Sequence, residues 1–349
     1  MKNNRLIYLL IIILFIWLII LSSEIFSFKK NSDENVINEY VINGISSDLT
    51  NVISRSKSSV VTINADNNIL SGFVYRQNED SVYIITAYHG VSNVNSIEVT
   101  FGSTYTEKAD LIGHDIYTDL AVLRVMTPYN IEPLKLGDAV LLKQGEFVIS
   151  IGTPVSIEHA GNVELGMVSD NRVTIENSIT VDEEKYLYYL DVIETSSGLQ
   201  AGYSGSPLIN MNGEVIGMNT MSLSNNFSMA ISSNEIKIIA DELISTQSSI
   251  RNNLGLKGTF ISEMMNYEKT NLNIALDVVD GFYISKVREN SLGFEAGIRS
   301  GDIITKINGQ DIRNLNDYLM AIHADVAELS FEYIRNSETL QANVSVSHD

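Results

Sequence analysis

The sequence predicts an all-β dominated fold in which two small barrels are followed by a smaller α+β unit and preceded by a transmembrane helix. Three observations predict it. Short runs of β-branched and aliphatic residues alternate with Gly, Asn and Asp across residues 53–232, which is typical of barrels and sandwiches. The apolar spacing becomes helical only after that region, and the N-terminus is a continuous apolar run. A length of 349 residues fits two domains of ordinary size.

Residues 6–23, an apolar run that ends in two serines, follow Lys2 and Arg5. As a helix this run is roughly 27 Å long, close to the thickness of the hydrocarbon core of a bilayer. Because no small-residue cleavage site follows, we expect an uncleaved signal anchor over residues 1–24 and a polar stalk over residues 25–52. Basic residues lie on both sides of the run, so charge barely discriminates the two orientations; we expect an extracytoplasmic body at the cell membrane.

The charge and the missing cysteines exclude several classes of function. The chain has 23 Lys and Arg against 43 Asp and Glu, and this net charge of −20 repels phosphate backbones, so we expect no nucleic acid partner. The absence of cysteine excludes disulfides, thiolate metal sites and a cysteine nucleophile. No histidines or carboxylates recur at metal-ligand spacing, so we expect neither a metal nor another cofactor.

The two barrels are expected to divide at TPYNIEP, residues 127–133, because proline does not fit a central strand. A helix is expected over the later segment SSNEIKIIADELISTQ, with Ser233 or Asn234 as its N-cap. This helix ends a first domain over residues 53–245. The second unit spans residues 251–347 and contains NLNDYLMAIHADV, in which apolar residues fall on one helical stripe.

The stretch GLQAGYSGSPLINMNGEVIGMNT, residues 198–220, has the composition of a nucleophile turn. Ser204 lies between glycines on a tight turn ahead of a strand, where the N–H groups of Gly202 and Ser204 are expected to bind a developing oxyanion. Residues 202–207, Gly-Tyr-Ser-Gly-Ser-Pro, also fit an ordinary turn between strands. Taken alone, this hexapeptide supports a nucleophile turn and an ordinary turn equally.

A serine nucleophile needs a general base, and of the five histidines only His89 follows a strongly apolar strand, VYIITAYHGV. A lone histidine there is more often structural. The third group must be a carboxylate that orients the imidazole: Asp119 heads the apolar strand of TDLAVLRV, and Asp115 is its chief competitor. The base and the acid fall in the first half and the serine in the second, so a cleft between two barrels would bring them together.

The strings SGFVY, IITAYHGV, TDLAVLRV, AGYSGSPLINMNGEVIGMNT and FSMAISSNEI, in that order, resemble the trypsin-like core of the HtrA/DegP serine proteases. Downstream, LGLKG, GFYISKV and AGIRSGDIITKINGQDI resemble the PDZ domain that follows the protease in that family. The resemblance implies a chymotrypsin-like double β-barrel followed by a PDZ domain, with a His89–Asp119–Ser204 triad. It also implies a homotrimeric, membrane-anchored endopeptidase of the cell envelope that degrades misfolded or exported proteins.

Two binding sites follow from the same resemblance. One is a pocket for small aliphatic substrate side chains, formed near Leu199, Asn219, Thr220 and Met221. The other captures peptide C-termini on the backbone N–H groups of LGLKG and beside a strand edge. Its expected residues, which are otherwise core positions of a β-rich module, are Leu254, Gly255, Leu256, Leu319 and Ile322.

Two departures from the family pattern bear on activity. Pro-Gly-Asn-Ser-Gly-Gly-Pro is replaced by Ala-Gly-Tyr-Ser-Gly-Ser-Pro, which puts Tyr203 beside the nucleophile and Ser206 at a glycine position. If these residues spoil the turn, the chain is a catalytically impaired scaffold that binds peptides through its PDZ domain. The complete set of triad residues favours the protease.

Overall fold

A computed structural model describes residues 14–24, 48–66, 68–154, 157–181, 184–198, 200–224 and 227–346. The chain divides into two compact units, residues 1–52 and 53–349. The first contains a helix over residues 14–24, and helix α1 spans residues 48–56.

The apolar side chains of the helix over residues 14–24 are exposed, from 44% for Leu21 to 66% for Trp17. No helix within the described ranges is long and apolar enough to cross a membrane. The predicted anchor lies outside the described residues up to residue 13, and the predicted stalk does so over residues 25–47. The predicted transmembrane helix is therefore not supported by the described part of the chain.

Six antiparallel strands close the first barrel. They are β1 (Val60–Ala65), β2 (Asn68–Gln77), β3 (Ser81–Ala87), β4 (Ile97–Phe101), β5 (Tyr105–Asp115) and β6 (Leu120–Met126). Their order around the barrel is β1-β2-β3-β6-β5-β4. Ile63, Ile84 and Leu123 are fully buried inside it, because alternate residues of each strand face the interior. A single helical turn, α2 (Tyr88–Val91), follows β3.

Six further strands close the second barrel. They are β7 (Phe147–Gly152), β8 (Asn162–Val181), β9 (Glu184–Thr195), β10 (Pro207–Asn210), β11 (Val215–Ser224) and β12 (Phe227–Ser232). Their order is β10-β11-β12-β9-β8-β7. The predicted double barrel is confirmed, and TPYNIEP lies between the two barrels.

Strands β8 and β9 extend beyond the second barrel. β8 pairs with β7 over residues 162–167, and β9 pairs with β12 over residues 193–195. Beyond these pairs, residues 173–181 and 184–192 pair only with each other and form the distal hairpin. This long hairpin was not predicted from the sequence.

Helix α3 (Ser233–Thr246) follows the second barrel. Its N-cap is Ser232, whose hydroxyl accepts from the Glu235 N–H at 3.3 Å, one residue earlier than the first of the two predicted caps. Asn234 does not cap the helix, since its side-chain oxygen accepts from the Ala139 N–H at 2.8 Å.

The C-terminal unit contains one sheet. Its strands are β13 (Leu256–Phe260), β14 (Phe282–Val287), β15 (Ile303–Ile307), β16 (Gln310–Asp311), β17 (Glu328–Arg335) and β18 (Glu338–Ser345). The order is β13-β14-β15-β17-β18, and β16 pairs with β15. The sheet packs with helices α4 (Asn266–Asn271), α5 (Leu292–Glu295) and α6 (Leu315–Ile322). Leu315, Leu319 and Ile322 of α6 are buried, which confirms the predicted helical stripe.

The second barrel contacts the C-terminal unit through β8. The Lys257 ammonium donates to the Thr174 carbonyl at 3.0 Å. The Arg172 guanidinium pairs with Glu263 at 2.5 Å and lies 4.8 Å from the ring centroid of Phe260. β13 is therefore fastened to β8 by charged and aromatic contacts.

Candidate functional site

His89 and Asp119 are positioned by two neighbouring strands of the first barrel. β3 ends at Ala87 and β6 begins at Leu120, and these two residues are register partners. His89 lies in α2 just after β3, and Asp119 lies just before β6. Asp119 has φ +58°, a left-handed conformation that aspartate adopts more readily than most residues.

The Asp119 carboxylate accepts three hydrogen bonds. Its Oδ2 lies 2.6 Å from His89 Nδ1, and its Oδ1 accepts from the His89 backbone N–H at 2.7 Å. The Thr220 hydroxyl, from the second barrel, donates to Oδ2 at 2.6 Å. Because an ionised carboxylate only accepts, His89 Nδ1 carries the proton, and Nε2 keeps a lone pair for use as a base.

The hydrogen bond to Asp119 raises the pKa of His89 above its ordinary value of 6.5. Partial burial opposes this change, and the charge of the carboxylate adds to it. The His89 side chain is 55% exposed, whereas that of Asp119 is 19% exposed. The imidazole is thus open to a substrate while its partner is shielded from water.

Ser204 lies in the nucleophile turn, residues 202–205, ahead of β10. Gly202 has φ +96° and Gly205 has φ +82°. A Cβ would overlap the Thr153 carbonyl oxygen at Gly202 and the Ser71 carbonyl oxygen at Gly205, so both positions require glycine. The N–H groups of Gly202 and Ser204 donate to no acceptor among the described residues. Both predicted oxyanion donors are therefore available.

The Ser204 hydroxyl donates to the Thr220 carbonyl at 3.2 Å. Within the described ranges it makes no hydrogen bond to the His89 ring. Thr220, which is expected to bind substrate, contacts the acid through its side chain and the serine through its carbonyl. No local signal predicts this role, since it depends on the approach of the two barrels.

Ser71 of β2 fastens the nucleophile turn to the first barrel. Its N–H donates to the Ser204 carbonyl at 3.0 Å, and its hydroxyl donates to the Gly202 carbonyl at 2.7 Å. The same hydroxyl accepts from the Thr153 N–H at 2.9 Å. Sequence reasoning missed Ser71, because a serine beside a glycine in SGFVY looks like any strand residue.

Neither departure from the family pattern disrupts the turn. The Tyr203 ring is 1% exposed and packs against Gly152, away from solvent, and burial raises its pKa. Ser206 lies outside the left-handed region, and its buried Oγ accepts from the Asn219 amide at 2.9 Å. The bulky ring is thus core, and the serine is bound in place.

Of the four expected substrate-binding residues, the structure describes the side chains of two. Leu199 lies outside the described residues, as does the side chain of Met221. Asn219 is 1% exposed, and its amide donates to Ser150 Oγ at 2.8 Å. Its Oδ1 is buried without a partner among the described residues.

Asp115, the competitor for the role of acid, bonds to Thr118 and Ser249. Its Oδ2 accepts from the Thr118 N–H at 2.9 Å and from the Thr118 hydroxyl at 2.6 Å. Its Oδ1 accepts from the Ser249 hydroxyl at 3.0 Å. Asp119, and not Asp115, thus contacts the imidazole.

The expected peptide pocket of the C-terminal unit is nearly closed. Gly255 has φ +62°, and its carbonyl accepts from the Arg288 N–H at 2.9 Å. Leu254, Leu256, Leu319 and Ile322 all belong to the buried core. The last three also line a cavity of about 20 Å³, whose opposite wall includes Thr174, Tyr189 and Asp191. A space of that size holds about one water molecule.

No group of three or more histidine and carboxylate side chains in the described residues is arranged to hold a metal ion.

Comparisons with known proteins identify both domains. A trypsin-like peptidase domain matches residues 70–218, and a PDZ domain matches residues 283–329. Serine protease Do-like HtrB of Bacillus subtilis is 32% identical over 286 residues, which cover 79% of this chain and 62% of that protein. Serine protease Do-like HtrA of Lactobacillus helveticus is 32% identical over 253 residues, which cover 70% of this chain and 60% of that protein.

The chain therefore spans less than two thirds of the length of both relatives. Among solved structures, HtrA-type protease AlgW with tripeptide has a similar fold, with a TM-score of 0.59 and 22% identity. The match covers 85% of this chain and 95% of that one. The chain is thus HtrA/DegP-like, with a trypsin-like peptidase domain followed by a PDZ domain.

We expect His89 to titrate above pH 6.5 in the native chain and below pH 6.5 in Asp119→Asn. The amide removes the negative charge and the strong acceptor, while the partial burial of the ring remains. NMR titration of protein labelled at histidine Cε1 measures both values. Asp110→Asn, which alters an exposed pair with Arg124, is the matched control and leaves the His89 titration unchanged. Equal values in the native chain and Asp119→Asn would contradict the assignment.

Proposed function

We propose that this chain is a serine endopeptidase in which Ser204 is the nucleophile, His89 the general base and Asp119 the group that orients His89. One observation carries the proposal: a carboxylate–imidazole pair lies on the first barrel, and a serine with two available N–H donors lies on a glycine turn of the second. The HtrA- and Do-like serine proteases among its relatives support the same reaction.

The reaction begins when the Ser204 hydroxyl leaves the Thr220 carbonyl and turns toward Nε2 of His89. Nε2 takes the hydroxyl proton as Oγ bonds to the scissile carbonyl carbon. Asp119 stabilises the imidazolium that forms, and the protonated Nε2 then gives its proton to the leaving amine. A water molecule, activated by the same nitrogen, hydrolyses the acyl-enzyme and releases Ser204.

The N–H groups of Gly202 and Ser204 bind the oxyanion of each tetrahedral intermediate. Each donor of this kind contributes about 2.7–4 kcal/mol of transition-state stabilisation. Ser71 binds the carbonyls of the same two residues, which holds the nucleophile turn against the first barrel before the substrate arrives.

The substrates we propose are misfolded or exported proteins. We also propose a subsite for small aliphatic side chains near Leu199, Asn219, Thr220 and Met221. The PDZ domain binds peptide C-termini at LGLKG, beside the edge of β13. The alternative of an impaired scaffold is not favoured, because Tyr203 and Ser206 leave the nucleophile turn intact.

We also propose that residues 6–23 anchor the chain in the cell membrane and leave its catalytic body outside the cytoplasm. The support is the uninterrupted apolar sequence of this segment, together with the exposed apolar side chains of its described part, residues 14–21.

Homotrimeric assembly is the remaining proposal drawn from the family resemblance. Its support in the structure is a group of outward-facing apolar side chains on β7 and β8, a type of surface that marks protein interaction sites. They are Phe147 (49% exposed), Val163 (37%), Leu165 (52%) and Met167 (47%).

A fluorophosphonate probe tests the nucleophile. The native chain is expected to be labelled, and Ser204→Ala to lose all labelling, because the probe reacts only with an activated serine hydroxyl. Ser58→Ala, at an exposed serine far along the chain from the site, keeps it. A folded native chain that takes no label would contradict the protease and favour the scaffold.

Membrane fractionation tests the anchor. The native chain is expected in the membrane pellet after carbonate washing, with its body digested by protease added outside the cells. The double variant Ile16→Asp and Ile20→Asp moves to the soluble fraction, since each central charge costs about 2.5–3.5 kcal/mol. Ser22→Asp with Ser23→Asp, at the end of the run, stays in the pellet. A native chain released by carbonate would refute the anchor.

Light scattering of the detergent-solubilised chain tests the assembly. We expect a protein mass three times that of the 38.7 kDa chain. Leu165→Asp on the apolar surface gives the mass of one chain, whereas Leu276→Asp, at a similarly exposed leucine of the PDZ domain, leaves the trimer intact. A monomeric native chain would exclude the trimer, and a trimeric Leu165→Asp would move its interface elsewhere.

A further inference from the structure

The linker, residues 249–252, joins the trypsin-like domain to the PDZ domain, and its first and third residues face the former. The Ser249 hydroxyl donates to Asp115 Oδ1 at 3.0 Å. The Arg251 guanidinium pairs with Glu235 in the first turn of α3. Both side chains of this ion pair are buried, with exposures of 8% and 2%.

The second and fourth residues of the linker face the PDZ domain. The Ile250 carbonyl accepts from His323 Nδ1 at 2.6 Å. The Asn252 N–H donates to the Ile322 carbonyl at 2.6 Å, at the end of α6. The Ile250 N–H points back to the trypsin-like domain and donates to Glu242 of α3 at 3.2 Å, so the linker is bound on both sides.

The protease side of the linker contacts the acid loop, residues 115–119, which ends at Asp119. Asp115 is 4% exposed, and its carboxylate holds the loop in a turn through two bonds from Thr118. The bond from Ser249 completes the set of donors on this carboxylate. One end of the acid loop is thus fixed by a residue 134 positions away in the chain.

A second contact reaches the middle of the acid loop. The Arg251 guanidinium lies 6.0 Å from the ring centroid of Tyr117. On the other side, the Tyr188 ring packs edge-on against Tyr117 at 5.1 Å, and its hydroxyl donates to the Tyr117 carbonyl at 2.9 Å. Burial raises the pKa of Tyr188 to about 12, so this hydroxyl remains a donor at neutral pH.

We propose that Ser249 and Arg251 are positioning residues, which hold the acid loop and thereby set the place of Asp119 against His89. This inference rests on the proposed triad and goes beyond it. The docking of the PDZ domain affects Asp119 through the linker, on the opposite side of the site from the nucleophile turn. The PDZ domain then acts on catalysis even without a peptide bound.

The buried ion pair makes this route stiff. The charge of Arg251 holds the pKa of Glu235 below its ordinary value although burial opposes ionisation, and His323 adds to the effect. Separating the two charges inside the protein is strongly unfavourable. The ion pair therefore holds the linker rigidly against α3, and a change in the docking of the PDZ domain reaches the acid loop through the linker.

Ser249→Ala tests the inference in the full chain. We expect kcat to fall about tenfold with KM unchanged, a loss within the range caused by small displacements of a catalytic group. We also expect the acid limb of the kcat/KM profile to move to lower pH, since a displaced Asp119 no longer raises the pKa of His89. A purely structural role would lower thermal stability without moving the acid limb.

Two further variants sharpen the test. Ser248→Ala is the matched control, because among the described residues the Ser248 hydroxyl bonds only to Thr246 of α3, and it leaves the profile unchanged. Tyr188→Phe removes one hydroxyl from the other side of the acid loop and is expected to shift the acid limb in the same direction as Ser249→Ala.

NMR titration of His89 in the same variants separates this inference from the proposed function. If the native chain is inactive but the His89 pKa falls in Ser249→Ala, the positioning role stands and the proteolytic function fails. If the native chain is active while Ser249→Ala changes neither kcat nor the His89 pKa, the positioning role is refuted.

Discussion

The active centre depends on the contact between the two barrels, because neither barrel alone contains all the residues of the site. His89 and Asp119 belong to the first barrel, and Ser204 belongs to the second. Ser71 of the first barrel donates to the carbonyls of Gly202 and Ser204 in the nucleophile turn. Gly205 permits this close approach because it has no Cβ. Thr220 makes the reverse connection, from the second barrel to the acid. Without these contacts the triad would be two unrelated halves.

The acid is the most constrained member of the site. Its carboxylate receives donors from both barrels, and its backbone adopts a left-handed conformation that costs about 1–2 kcal/mol for an ordinary L-residue. Charge-assisted hydrogen bonds of about 1.5–3 kcal/mol each offset that cost. A group held by so many bonds has a fixed position only while its loop is also fixed. The PDZ domain accordingly affects catalysis through the acid loop rather than through the nucleophile turn.

The fold, and the location of His89, Asp119 and Ser204 at strand ends and in a glycine turn, could be predicted because their signals are local. Each lies at the end of an apolar strand or between glycines, and the order of the motifs indicates the family. The roles of Ser71, Thr220 and Asp115 could not, since their partners lie 131, 101 and 134 residues away. The distal hairpin was missed for a different reason. SDNR lies in β8 just before the hairpin, where the register shifts on both sides of Asp170, and the strand then continues to Val181.

Residues of the distal hairpin fill the space beside the expected peptide pocket of the PDZ domain. Thr174, Tyr189 and Asp191 leave room for about one water molecule beside Leu256 and Leu319, so a peptide side chain enters only when the two domains part. The apparent affinity of the PDZ domain for a peptide C-terminus is then its intrinsic affinity multiplied by the fraction of molecules in which the domains are apart. If about one molecule in a hundred is open, binding is about a hundredfold weaker than to the bare domain. Such an arrangement favours ligands that are tight-binding, abundant or multivalent, because these supply the free energy that keeps the domains apart.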